Sequence, residues 1–144
     1  MFRSVLSLCV LLTLAAVTTA VQAVAETHPF SIHDMLAMDR LSDAQVSPDG
    51  TQVAFSVRVT DVAANKGRTD VWVAAVDGSR VRRLTTHDAN DWNARWGANG
   101  VLYFLSTRSG SPQIWRLDTG GGEAAPVTTL PLPVNAFEWV PQTR

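Results

Sequence analysis

The stretch Ala44-Gln45-Val46-Ser47-Pro48-Asp49-Gly50-Thr51-Gln52-Val53-Ala54-Phe55 reads as a strand, a tight turn and a second strand. Pro48 presets φ at the first central position of a β-turn, and Asp49 tolerates the second and bonds back to the backbone. Gly50 takes positive φ at the exit. Beyond the turn, Val53, Phe55 and Val57 alternate with Ala54 and Ser56, the period-2 pattern of a half-buried strand.

Working forward, Asp61 to Arg68 is polar, contains Gly67 and reads as a loop. Asp70 to Val76 follows as a strand apolar on both faces, as a strand held between layers should be. Asp77-Gly78 predicts a type I′ hairpin turn, in which both central residues take positive φ. Arg80 to Thr85 returns as a more polar strand, completing an antiparallel meander of four.

The series then starts again. Asp91 to Trp96 is its first strand, Gly97-Ala98-Asn99-Gly100 its turn, and Val101 to Leu105 its second strand. Gln113 to Leu117, the loop Gly120-Gly121-Gly122 and a strand from Ala125 to Thr129 complete it. The second turn lacks a proline but keeps Asn99-Gly100, which fill the roles of Asp49-Gly50. Ala136 to Gln142 opens a third copy, with Pro141 present and Gln142-Thr143 in place of Asp-Gly. Trp72 to Trp115, Thr85 to Thr128 and Trp96 to Trp139 are each 43 residues apart. Val46 to Trp96 is 50, so the first unit carries seven extra residues, assigned to the Asp61–Arg68 loop. Four-stranded units at this period are the signature of β-propeller blades. A single sandwich of about eight strands is the alternative, and the equal spacing of Trp, turn and terminal Thr favours the propeller.

The expected fold is therefore all-β: an incomplete propeller of about two and a quarter blades, since closure takes at least about four. Its units are 43–90, 91–134 and the start of a third at 135–144. A lead-in at 26–42 precedes it. There Ser31 caps a short helix, Asp34 supplies the capping-box carboxylate, and Phe30 with Met35 fits a hydrophobic staple. Ile32, Met35 and Leu36 share a face that must pack on something.

Residues 1–25 have the form of a secretory signal peptide. Met1-Phe2-Arg3 is a short positive start, Val5 to Val17 is apolar, and Ala23-Val24-Ala25 is a small-x-small cleavage site. The apolar run is short of the roughly 20 residues of a spanning helix. Cleavage after Ala25 predicts an exported, periplasmic or secreted protein with no membrane attachment. Cys9 is the only cysteine and would leave with the peptide, so disulfides and Cys-ligated metal are not expected. The lipoprotein reading fails because Leu8, not a small residue, precedes Cys9.

Twelve Lys and Arg face thirteen Asp and Glu, for a net charge of −1, so no basic field marks a nucleic-acid partner. No catalytic, cofactor or metal residue stands out. His33 beside Asp34 points two ways on a helix and reads as a solvated pair. His87, Asp88 and Asp91 lie close in sequence but lack a ligand spacing. Trp72, Trp96, Trp115 and Trp139 recur at repeat positions and read as packing between blades, while Trp92 stays open as a surface residue. Arg80, Arg82 and Arg83 read as a solvated outer edge that discourages sheet pairing.

Ser-Pro-Asp-Gly before an apolar strand, at this spacing, resembles the Trp-Asp-forty-like repeats of TolB-type periplasmic proteins and of prolyl-oligopeptidase-family serine peptidases. The lead-in His28 to Asp43 joined to Val46–Gly50, together with Asn65 to Trp72 and Arg83 to His87, looks like the acylaminoacyl-peptidase and dipeptidyl-peptidase branch. The resemblance covers residues 28 to 144. It implies a C-terminal α/β-hydrolase domain carrying a Ser-Asp-His triad, with the propeller restricting access to short peptides. There is no Gly-x-Ser-x-Gly elbow in this sequence, so no catalytic residue carries over. The expectation is the N-terminal piece of a longer peptidase or the product of a truncated gene, inactive alone. A TolB-like interaction propeller without catalysis is the alternative, and a non-functional remnant a third.

Overall fold

The computed structural model describes residues 28–140. The signal-peptide reading, and the third turn at Pro141 to Thr143, lie outside them. The described residues form one short helix and eight strands in two four-stranded antiparallel sheets.

Helix α1 (Ile32–Ala37) starts as the sequence requires. The Ser31 hydroxyl accepts from the Asp34 backbone N–H, and the Asp34 carboxylate accepts from the Ser31 backbone N–H at 2.7 Å. The expected staple is open to solvent, with Phe30, Ile32 and Met35 all exposed.

The first sheet runs β1 (Arg40–Val46), β2 (Gln52–Asp61), β3 (Lys66–Ala75) and β4 (Arg82–Arg83), in that order. The second runs β5 (Asp91–Trp96), β6 (Val101–Ser106), β7 (Gln113–Asp118) and β8 (Ala125–Pro126). These are two propeller blades. β1 begins at Arg40, ahead of the alternation that starts at Ala44, because Arg40, Leu41 and Ser42 pair with Arg58, Val57 and Ser56. Asp61 to Arg68 is not a loop. β2 and β3 pair without a break down to Asp61 opposite Lys66, so the extra residues lengthen a hairpin. The outer strands are shorter than the runs Arg80–Thr85 and Ala125–Thr129, at two residues each. Past the β8 pairing, Ala136 to Val140 has the composition of a third inner strand but pairs with nothing among the described residues.

The turns differ in kind. In the first, the Gly50 N–H donates to the Ser47 carbonyl at 2.9 Å and Gly50 sits at φ 71°. The Asp49 carboxylate accepts from the Ser47 hydroxyl and from the backbone and hydroxyl of Thr51. Those bonds hold its pKa below 3.8, Ser47 first. In the second, Asn99 (φ 56°) and Gly100 (φ 76°) are both left-handed and the Val101 N–H donates to the Ala98 carbonyl. Asn-Gly therefore makes the type I′ turn, and its role is not that of Asp49-Gly50. Asp77-Gly78 does not make one. Only Gly78 of the two has positive φ, its N–H donates to the Ala75 carbonyl, and the Asp77 carboxylate caps the Ser79 N–H.

Register explains the core. Ala54 lies opposite Val73, and with Val71 they line one face of the first blade. Against it the second blade presents Ala94, Trp96, Leu102, Phe104 and Leu117, all buried, with Trp115 and Leu84 packed at the margin. Trp96, Leu102 and Leu117 form one row across β5, β6 and β7, and Phe104 faces Trp115 in the next. A fully buried Phe such as Phe104 contributes about 3–5 kcal/mol relative to Ala.

Candidate functional site

Each inner strand carries the same irregularity. The register of β1 shifts between Ser42 and Gln45, and that of β5 between Trp92 and Arg95. At the shifts Asp43 (φ 53°) and Asn93 (φ 56°) take left-handed backbone, which short Asx side chains tolerate best. The two positions are 50 residues apart, as are Val46 and Trp96. This signal was in the sequence, in Asp-Ala and Asn-Ala at one repeat position, and a reading centred on the turns passes over it.

The bulge in β1 turns the Asp43 carboxylate toward the second blade. There the Arg95 guanidinium donates through Nη1 to both carboxylate oxygens at 3.0 Å. Arg95 also donates through Nε to Glu138 at 3.1 Å. One cation thus spans three successive inner segments, the third being Ala136–Val140. Burial pulls the Arg95 pKa down, and the bonds to Glu138 and Asp43 outweigh it, so the group stands above the ordinary arginine value. Beside it the Trp96 indole N–H donates to the Gln45 carbonyl at 2.9 Å. Trp139, the next tryptophan in the 43-residue series, stacks on Tyr103 with centroids 4.5 Å apart. A cleft of about 460 Å³ opens between the two turns, lined by Pro48, Asp49, Trp96 and Asn99 among others. The arrangement is a scaffold seam, rich in hydrogen bonds and without a nucleophile–base pair.

The sequence-selected acids and bases separate. His33 is exposed, and Asp34 is held below 3.8 by Ser31 first and by His28 as well. His87 accepts from the Ala89 N–H, and Asp88 lies in solvent beside Arg68. Asp91 is fully buried and pairs with Arg108 at 2.7 Å, while that guanidinium lies over the Trp115 ring. Among the described residues no three His, Asp or Glu side chains are placed to hold a metal ion. Trp92 sits opposite Leu105, half-buried in the sheet. The outer-edge arginines depart from expectation. Arg83 pairs with buried Asp70 at 2.9 Å and is half-buried, while Arg80 and Arg82 are exposed, Arg82 also donating to the Thr119 carbonyl of the second blade. With β4 two residues long, its side chains reach past the strand to partners on either side.

A second pattern repeats. The Thr85 hydroxyl accepts from the Val71 N–H at 3.0 Å and faces the Asp70 carboxylate. The Thr128 hydroxyl accepts from the Ile114 N–H at 2.9 Å and donates to the Gln113 amide oxygen at 2.8 Å. These are the threonines at the 43-residue period, and each latches the outer segment of its blade to the third strand.

Residues 39–142 match the family model of the TolB beta propeller domain. The chain belongs to that family. It is 30% identical over 80 residues to dipeptidyl-peptidase 5 of Porphyromonas gingivalis, covering 55% of this chain and 12% of that one. It is 27% identical over 110 residues to the uncharacterized peptidase YuxL of Bacillus subtilis, covering 75% and 17%. A 50-residue match at 42% identity to the Tol-Pal system protein TolB of Anaeromyxobacter dehalogenans covers 35% and 10%. Among solved structures, the apo AtxE2 isopeptidase aligns over 78% of this chain and 22% of its own, with a TM-score of 0.60 and 21% identity. That likeness concerns the fold. The TolB-family chain thus spans less than a fifth of the length of the curated peptidases it matches. Its propeller resembles those of dipeptidyl-peptidase 5 and YuxL, as the sequence reading expected. No helix among the described residues is long and apolar enough to cross a membrane.

Proposed function

We propose that this chain is the N-terminal propeller portion of an exported serine peptidase that acts on short peptides. In this reading the blades are a gating scaffold, and the triad stands on a C-terminal α/β-hydrolase domain that is the propeller's partner. The observation that carries it is the extent of the matches. Those to dipeptidyl-peptidase 5 and YuxL cover 55% and 75% of the chain, against 35% for TolB. Export rests on the charged start, apolar run and Ala23-Val24-Ala25 site of residues 1–25. The second reading, an interaction propeller without catalysis, is favoured by the family model itself.

Reading the coding DNA past the codon for Arg144 separates the two. A Gly-x-Ser-x-Gly elbow followed by Asp and then His supports the peptidase. Further blades with no hydrolase domain overturn it in favour of the interaction propeller. The 144-residue chain alone is expected to release no product from chromogenic dipeptide substrates.

A further inference from the structure

The lengthened β2–β3 hairpin carries a feature the propeller does not need. Arg40 and Arg58 stand directly opposite each other in the β1–β2 pairing, both exposed. Like charges in that relation repel and weaken the pair. No carboxylate among the described residues forms an ion pair with either of them or with Lys66, whereas Arg68 on β3 and Arg83 on β4 both pair with Asp70. The three cations share the wall of one cleft of about 230 Å³ at the junction of α1 and the hairpin. Thr60 lines the same cleft, and its hydroxyl is buried with no hydrogen-bond partner. Asp61 is the single acid in the wall, and it is occupied in capping the Ala64 N–H at 2.9 Å.

The Arg58 side chain is placed by a glycine. A Cβ added at Gly67 would clash with the Arg58 guanidinium, which lies across the Gly67 backbone. Gly67 is the diagonal cross-strand neighbour of Arg58, with Thr69 directly opposite. The missing side chain lets the Arg58 guanidinium lie over the Gly67 backbone on the wall of the cleft that Arg40 and Lys66 also line.

From this geometry we infer that the cleft between α1 and the β2–β3 hairpin binds a phosphate group. Three cations against one carboxylate leave a local excess of two positive charges, which a phosphate dianion matches. The guanidiniums and the Thr60 hydroxyl supply the donors that its oxygens require. The anion removes the Arg40–Arg58 repulsion and satisfies Thr60. A free phosphate and the phosphate of an anionic lipid headgroup present the same chemistry.

The test is calorimetric titration of the full chain with inorganic phosphate, alongside co-sedimentation with vesicles of phosphatidylglycerol in phosphatidylcholine. Saturable binding in one of the two is expected, and which one identifies the source. Arg40→Gln with Arg58→Gln should weaken that binding by at least about tenfold, the loss of charge-assisted hydrogen bonds. Gly67→Ala keeps every charge but displaces the Arg58 guanidinium, and should weaken it severalfold. Without phosphate, the double glutamine variant should unfold at the same or a higher temperature than the parent, which separates lost binding from lost fold. Absence of binding in both assays overturns the proposal, as does binding that the variants leave unchanged.

Discussion

Arg95 lies between Asp43 and Glu138, but the two acids are not equivalent. Asp43, its side chain 28% exposed, offers both carboxylate oxygens to one guanidinium nitrogen, whereas the Glu138 side chain is 72% exposed. A partly buried pair is screened little, and an exposed one adds close to nothing. A double-mutant cycle on Arg95 and Asp43 should give a coupling of about 1 kcal/mol in urea unfolding, and one on Arg95 and Glu138 close to zero. Equal couplings would mean that Ala136–Val140 is held as firmly as a paired strand.

The threonine latches predict matched losses. Thr85→Val and Thr128→Val each remove the acceptor of a strand-three N–H while preserving shape, so each should cost about 1–3 kcal/mol. Thr→Ser at either site should recover most of it, since the hydroxyl is what the N–H uses. Denaturant midpoints of the four variants check this, and a large cost in only one blade would contradict the equivalence of the geometry.

Asp70 sets a pH dependence with a definite sign. Burial lifts its pKa above 3.8, and the bonds and charges of Arg83 and Arg68 pull the other way without prevailing. The folded chain therefore holds this proton more tightly than the unfolded chain. The group's contribution is full below 3.8 and declines as pH rises through the folded value. Asp34, Asp49 and Asp77 are shifted down and act oppositely, losing stability on acidification, but they cancel between parent and variant. The destabilisation of Asp70→Asn relative to the parent should thus shrink between about pH 3 and pH 7 in urea unfolding. A gap that widens with pH would show that the ion pairs outweigh burial.

Turn chemistry gives a fourth outcome. Gly50 has no atom near the position a Cβ would take, so Gly50→Ala is penalised by its φ of 71° alone, at about 1 kcal/mol. Asn99→Gly should be neutral or stabilising and Asn99→Ala should cost about 1 kcal/mol, because position 99 is left-handed. The corresponding Asp49→Gly should show no such gain, since Asp49 has ordinary φ and makes three hydrogen bonds. Thermal unfolding of the set distinguishes the two turn types.

The blades were legible because spacing reports them directly. Of the tryptophans at the 43-residue period, Trp96 and Trp115 lie in or beside the interblade core, whereas Trp72 is not part of it and Trp139 is exposed against Tyr103. Strand ends were less legible. Lys66 to Arg68 is polar and reads as loop, yet its backbone completes the ladder with β2. Polarity reports exposure of side chains, not the pairing of the backbone behind them. The Arg95 bridge was not legible, since its three members are far apart in sequence and only a bulge aims Asp43 at it. Asp91 misled in the opposite direction: its neighbours in sequence are surface groups, and its partner Arg108 comes from beyond the next strand.

The threonine latch has a consequence for how such a chain can change over generations. Its parts, Asp70 with Thr85 and Gln113 with Thr128, lie within single blades, close together in sequence. A duplicated 43-residue segment would arrive with its own fastening, needing nothing from its neighbours to close its outer edge. The joints between copies, the apolar core and the bonds of Arg95, Trp96 and Arg82 across it, would have to be renegotiated. Copy number can then drift while each unit stays whole, and selection falls on the joints between units.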